Sequence, residues 1–302
     1  MTTLFDRGLA DEHARFLNTC LNDAEARVAR DIMRAAGTYP ATPRLGHRTT
    51  HTPQLHLGDY LAATAEPPAR VHRGLFKGYT DVLGNNQWGD CGDAMTLHGI
   101  EGMRHAAGQA PPPFTEPDAL NLYGAVSGFV PTDGPPGNNP TDQGTDNAQL
   151  VAYWQSTGVK CATDGSVHQI AGSVAVDATN DLECQIAIYE LGVLFTAWNL
   201  PASAQGQTVW DVIGDGRTGN SAPGSWGGHD TATMAYTGVE FDTNTWGLWV
   251  PVTKRFRLAY QAGFFAVVAK DMLNRTGVSP SGLDWSALVA DLQKLGSGSP
   301  IQ

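Results

Sequence analysis

The sequence predicts an α+β protein of two lobes, a helical half followed by a sheet half. Three observations predict it. Apolar residues recur at three- and four-residue steps through the first half, whereas the second half carries short runs rich in β-branched and aromatic residues. The chemically suggestive residues are divided between the halves, a cysteine in the first and a histidine in the second. The chain of 302 residues is 41% hydrophobic and 16% charged, which suits a large buried core and excludes a disordered chain.

Residues 8–36 read as an amphipathic helix. Phe16, Leu17, Cys20, Leu21, Ala24, Val28, Ile32 and Met33 share a stripe, and Gly37 stops the run. Prolines 40, 43 and 53 then break a polar, His-bearing stretch, so residues 1–45 form an extension of the main fold, whether a pro-segment, an assembly arm or a docked helix. The main domain is expected over 46–302, with an irregular lead-in marked by Pro67, Pro68, Gly74 and Gly78. Its helical lobe spans about 80–165, with helices over 92–107, 117–127 and 145–157 and a Gly/Pro/Asn-rich loop from Pro131 to Gly144. Its sheet lobe spans about 166–275. Strands are expected at 173–176, 193–198, 231–238, 245–250 and 264–269, with a short helix at 180–191 and a Gly-rich loop at 202–228. A last helix with Trp285, Leu288, Val289 and Leu292 and a loose tail occupy 276–302.

Net charge is −11, from 19 basic and 30 acidic residues, and no basic stripe interleaves with aromatics. Nucleic acid and anionic membrane surfaces are therefore not expected partners. No run approaches the roughly 20 apolar residues of a membrane span. Met1 to Arg7 lacks a basic segment leading into an apolar run, so a cytoplasmic location, or one within a particle assembled in cytoplasm, is expected. Four cysteines do not make a disulfide scaffold in a chain this long; Cys20, Cys161 and Cys184 read as buried thiols, with a Cys161–Cys184 bridge left open.

Cys91 closes the Gly-rich run Gly84-Asn85-Asn86-Gln87-Trp88-Gly89-Asp90 and opens a helix, a position with a positive dipole end beside the sulfur. Gly227-Gly228-His229 follows in the sheet half, and Asn244-Thr245-Trp246-Gly247 lies 15 residues beyond the histidine. A thiol attacks a carbonyl as thiolate, so it needs a proton acceptor, and that imidazole needs a polar group to orient it. His229 and Asn244 suit these two roles. The tetrahedral oxyanion needs donors, one of them the Cys91 backbone N–H.

These blocks resemble the signature of papain-like cysteine peptidases, whose histidine commonly follows a glycine and whose asparagine stands in an Asn-Ser-Trp-Gly run. The resemblance covers about residues 80–270 in order and spacing. The runs around Cys91 and Gly224-Ser225-Trp226-Gly227-Gly228-His229 look more like a divergent branch of bacteria and their phages. It implies a two-lobe fold with an interlobe cleft, no cofactor, Cys91 as nucleophile, His229 as general base and acid, Asn244 as orienter and an amide in the oxyanion hole.

Two registers fit. Laying Cys91-Gly92-Asp93-Ala94 on the family's Cys-Gly-Ser-Cys run puts Ala94 at the nucleophile position and silences the site. Placing Cys91 there instead puts Asn85 six residues upstream, where the family has its oxyanion glutamine, so the second register is preferred. Gln87 is a second amide. Trp88, Asp90, Gly228, Trp226 and Trp246 are the further cleft candidates, with Asp90 and Asp93 opposing thiolate formation. His47, His51 and His56 lack a regular ligand spacing, and no metal is expected.

The expected function is hydrolysis of peptide or isopeptide amides through a Cys91 thioester. The alternative is a silent papain-like scaffold for binding or assembly, as in a phage particle, with self-assembly or a particle partner through residues 8–36. A transglutaminase-like hydrolase would orient His229 with Asp242 instead.

Overall fold

The computed structural model describes residues 43–74, 77–279 and 281–296. The helix expected over 8–36 and Cys20 lie outside these residues.

Three short strands come first: β1 (His47–Thr49), β2 (Leu55–His56) and β3 (Arg70–His72). Helices α1 (Cys91–Ala106) and α2 (Glu116–Ser127), strand β4 (Thr145–Asp146) and helix α3 (Asn147–Ser156) make the helical part. A small antiparallel pair follows, β5 (Val159–Lys160) and β6 (Val167–His168). The sheet part runs β7 (Ile170–Val176), α4 (Asp181–Glu190), β8 (Leu194–Leu200), β9 (Gly227–Thr237), β10 (Glu240–Thr245), β11 (Leu248–Val252), α5 (Lys254–Tyr260) and β12 (Gln261–Ala269). Helix α6 (Trp285–Gly296) comes last. The main sheet has the order β11-β10-β9-β8-β12-β7-β2, with β3 also on β9. Its ladders are antiparallel except where β2 joins β7.

Local chemistry explains the helix ends. Thr115 and Asp118 form a capping box at α2, Gly128 closes it at a φ of 77°, and Asp146 and Asn180 cap α3 and α4 through their side chains. Helix α1 has no solvent-exposed face over its first 13 residues, because every residue from Cys91 to Met103 is buried, Asp93, Thr96, His98 and Glu101 among them. It lies directly on the sheet: a Cβ on Gly99 would fall 2.4 Å from the Phe195 ring, and one on Gly102 2.4 Å from the Met234 sulfur. Only glycine allows that approach. On this face Met95, Leu97, Ile100, Leu150, Trp154, Phe195, Met234 and Phe265 form one core cluster. On the other face Ile186, Trp198, Trp210, Tyr236, Phe256, Tyr260 and Leu288 form a second.

The α+β class and two-part layout match expectation, with two local corrections. The strand expected over 245–250 is present from Leu248 onward but broken before it: Trp246 and Gly247 both have positive φ, 51° and 72°, and form the turn that joins β10 to β11. The chain from 47 to 72, expected to be irregular, supplies β1 to β3, which pair with β4, β7 and β9 in turn. Cys161 and Cys184 are the buried free thiols expected, with no bridge between them, one in each core cluster. Among the described residues no helix is long and apolar enough to cross a membrane.

Candidate active site

Cys91 is the first residue of α1 and is only 1% exposed. It stands at the seam where this helix meets β9. Residues of a strand alternate between faces, so only one of His229 and Asp230 can look toward it. That residue is Asp230, whose Oδ2 accepts from the Cys91 thiol at 3.8 Å.

The carboxylate of Asp230 gathers two further donors. Asn147 Nδ2, from the first turn of α3, donates to Oδ1 at 2.9 Å. His47 Nδ1, from β1, is 2.9 Å from Oδ1 and 3.1 Å from Oδ2, while its Nε2 lies 3.3 Å from Thr50 Oγ1. Burial works against a charged His47, but the Asp230 carboxylate outweighs it and the pKa ends up raised. The thiol of Cys91 is pushed well up, first by burial and then by the Asp230 charge; hydrogen bonds from the backbones of Asp230 and Gly46 work the other way without prevailing. Asp93, two residues into α1, is raised to about 8 by burial, although Thr145 Oγ1 donates to it at 2.6 Å. As folded, then, the site keeps its thiol protonated.

His229 faces the opposite side. Burial lowers its pKa to about 3, its Nε2 pairs with Thr245 Oγ1 at 2.7 Å, and its Nδ1 has no hydrogen-bond partner. Its ring stacks on Trp246 at 4.3 Å, and Trp246 packs on Trp226. The expected Cys91–His229 hydrogen bond is therefore not formed, and the physical reason is strand alternation. Asn244 does not orient His229 either; its Nδ2 donates to the carbonyls of Tyr79 and Leu248, at 3.0 and 3.4 Å. Asp242 is buried with neither oxygen paired, so it does not hold His229 in the transglutaminase-like way. Asn85 Nδ2 is already committed to Trp88 O and Asp90 Oδ1, each at 3.2 Å. Gln87 is exposed, Trp88 packs on Phe129, and burial raises Asp90 well above a normal carboxyl. Ala94, the alternative nucleophile position, is buried one turn further along α1.

Residues 44–50 thread between the two parts, directly over Cys91. On the helical side Arg44 pairs with Asp142 at 3.1 Å, Gly46 O accepts from Thr145 N at 2.7 Å, and β1 runs parallel to β4. On the sheet side Leu45 abuts Gly227, the His47 carbonyl abuts Gly228, and Thr50 abuts Gly263. A Cβ on Gly46 would fall 1.7 Å from Gly89 O. Thus the segment expected to end a separate extension at residue 45 is built into the cleft.

Asp230, His47 and Asn147 were not singled out by sequence for this site. Alternation along the run Gly228-His229-Asp230 was the available signal, since it forbids both polar residues from serving one face. Among the described residues no group of three or more His, Cys, Asp and Glu side chains is arranged to hold a metal ion. His51 bonds Ser173 Oγ at 2.7 Å, apart from His47.

Compared with family models and with curated proteins, the sequence has no match. Its structure is similar to solved cysteine proteases. Xylellain, a cysteine protease from Xylella fastidiosa, aligns with a TM-score of 0.56 at 12% identity, over 77% of this chain and 98% of that one. The digestive procathepsin L 3 of Tenebrio molitor larval midgut gives 0.51 at 11%, over 88% and 99%. The proform of the Amb a 11 cysteine protease, a major ragweed pollen allergen, gives 0.54 at 13%, over 92% and 82%. At such identities the likeness is one of fold, and the fold of this chain is papain-like.

Proposed function

We propose that the chain is a papain-like cysteine hydrolase of peptide or isopeptide amides, held in a closed state by residues 44–50, with Cys91 as its nucleophile. The observation that carries this reading is the position of Cys91, which heads the buried helix at the seam of the two parts, beneath residues 44–50. In the open state the thiolate attacks the amide carbonyl carbon, the thioester forms as the C–N bond breaks, and the amine leaves with a proton from the imidazolium. Water then hydrolyses the thioester.

The base in that state is His229. Removing residues 44–50 takes His47 from Asp230 and the packing from Gly227 and Gly228. A one-residue slip at that glycine pair exchanges the faces of Asp230 and His229. The β9–β10 ladder already shifts register between Asp242 and Thr243. Asn244 as orienter and Asn85 as oxyanion donor belong to the same open state.

A second reading is favoured by the Asp230–Cys91 contact: a silent papain-like scaffold used for binding or assembly. One experiment separates the two. Cys91 alkylation by iodoacetamide, located by mass spectrometry, is measured in the parent chain, in Gly46→Ala and in Gly46→Ala/His229→Ala. The hydrolase reading expects slow labelling in the parent, fast labelling in Gly46→Ala, and loss of that gain in the double variant. Labelling at an ordinary thiol rate, whatever stands at 229, sinks it in favour of the scaffold.

A further inference from the structure

Two arginines, neither ion-paired among the described residues, converge on a cavity at the far end of α1, about 22 Å along the helix from Cys91. The cavity, about 230 Å³, is lined by Arg73, Arg275, Glu190, Met103, Met272 and neighbouring residues. Arg73 lies over the Tyr189 ring and gives one Nη2 donor to Tyr189 O at 3.0 Å, while its buried Nε has no hydrogen-bond partner. Arg275 is held over the Trp285 ring, 4.6 Å from its centroid. Among the described residues neither guanidinium takes part in an ion pair. In a chain with net charge −11, two such arginines at one cavity are out of keeping with the average surface.

The lining also holds one carboxylate, that of Glu190. Ser281 Oγ donates to the Glu190 carboxylate. The last carbonyls of α1, at Met103, Arg104 and His105, accept from Ala107, Gly108 and Gln109, so the helix end does not present bare oxygens to the cavity. A second cavity of about 270 Å³ shares Met103, Ala107 and Met272 with the first and adds Ile100, Trp154 and Ile170. The buried part of its lining, Ile100, Met103, Trp154, Ile170 and Met272, suits an apolar body, while its polar residues Arg104, Gln109, His168 and Lys270 are half-buried or exposed.

We infer that the paired cavities bind a carboxylate carried on an apolar body, with Arg73 and Arg275 taking the carboxylate and the Met103–Met272 floor taking the body. A guanidinium offers two parallel N–H donors to a carboxylate, and its stack on an aromatic ring fixes the fork before the ligand arrives. This site is separate from the Cys91 cleft and does not depend on the hydrolase reading.

The test is calorimetric titration of the full chain with octanoate, acetate and inorganic phosphate at about 0.15 M salt. The expected result is saturable octanoate binding at least about tenfold tighter than acetate or phosphate. Arg275→Gln and Arg73→Gln each weaken it by about tenfold or more, and Arg217→Gln, at an exposed arginine, leaves it unchanged. Arg275 makes no side-chain hydrogen bond among the described residues, so Arg275→Gln tests the site without unpairing the fold. No octanoate binding, binding no tighter than phosphate, or binding unchanged in Arg275→Gln overturns the inference.

Discussion

His229 and Asp230 are neighbours on one strand and live in opposite chemistries. The His229 side is neutral and aromatic: Trp246 covers the ring, Thr245 pairs it, and a hydroxyl network of Thr196, Thr231, Thr233 and Thr243 continues beneath. The Asp230 side is ionic: a carboxylate joins a thiol, an imidazole and an amide from three separate elements. Two adjacent polar residues therefore say nothing about a shared site until the face of each is known. The difference also shows where the fold stores its tension. Burial drives one histidine toward neutrality, while a carboxylate draws the other toward charge.

The largest expected effect comes from breaking the ionic side. Asp230→Ala leaves the imidazole of His47 buried without its carboxylate, and loss of one partner of a buried pair costs roughly 3–5 kcal/mol. Urea unfolding at pH 6 measures this. The same change removes the second cause of the raised Cys91 pKa, so the thiol titrates lower in the folded variant. A stability loss below about 1 kcal/mol would reduce the cluster to a surface-like pair of little worth.

The two histidines should also give opposite pH slopes. His47 has a raised folded pKa, so its contribution is fully present below its unfolded value near 6.5 and is lost as pH rises through the folded value. His229 has a folded pKa of about 3, so stability is kept above 6.5 and lost as pH falls from there toward 3. Each slope is limited to about 1.4 kcal/mol per pH unit for one proton. Comparing the parent with His47→Gln and His229→Gln isolates each imidazole from the buried carboxyls of Asp90 and Asp93, which also titrate. The difference curve for His47→Gln should bend above pH 6.5, and that for His229→Gln below it. Curves bending on the same side would mean that the two faces are not distinct.

Most of this fold was legible because its signals are local. The apolar run 193–198 announces β8, and the stripe of Trp285, Leu288, Val289 and Leu292 announces α6. Cys91 at a helix start was legible for the same reason. The partners of Cys91 were not, because face assignment in a strand depends on register, which is set by pairing with distant strands. Asn244, His229 and Cys91 have the spacing of a working set, yet β9 turns His229 toward Trp246. His47 was hidden differently: a polar stretch broken by prolines carries no sign that it is threaded between Gly89 and Gly228.

The smallest expected effect tests whether the two faces are coupled. Thr245→Val keeps the shape of the side chain and removes the only hydrogen bond that the His229 ring makes among the described residues, at 2.7 Å. A buried polar atom left unpaired costs about 1 kcal/mol or somewhat more, and the stack on Trp246 does not depend on the hydroxyl, so the ring should stay where it is. Urea unfolding should show that modest loss, with Cys91 alkylation in the closed chain unchanged. The closed state owes its slow thiol to Asp230 and to residues 44–50, none of which shares a side-chain hydrogen bond with Thr245 among the described residues. Faster alkylation in Thr245→Val would mean instead that His229 is free to turn once its hydroxyl partner is gone, and that the glycine pair before it is the hinge on which the two faces trade places.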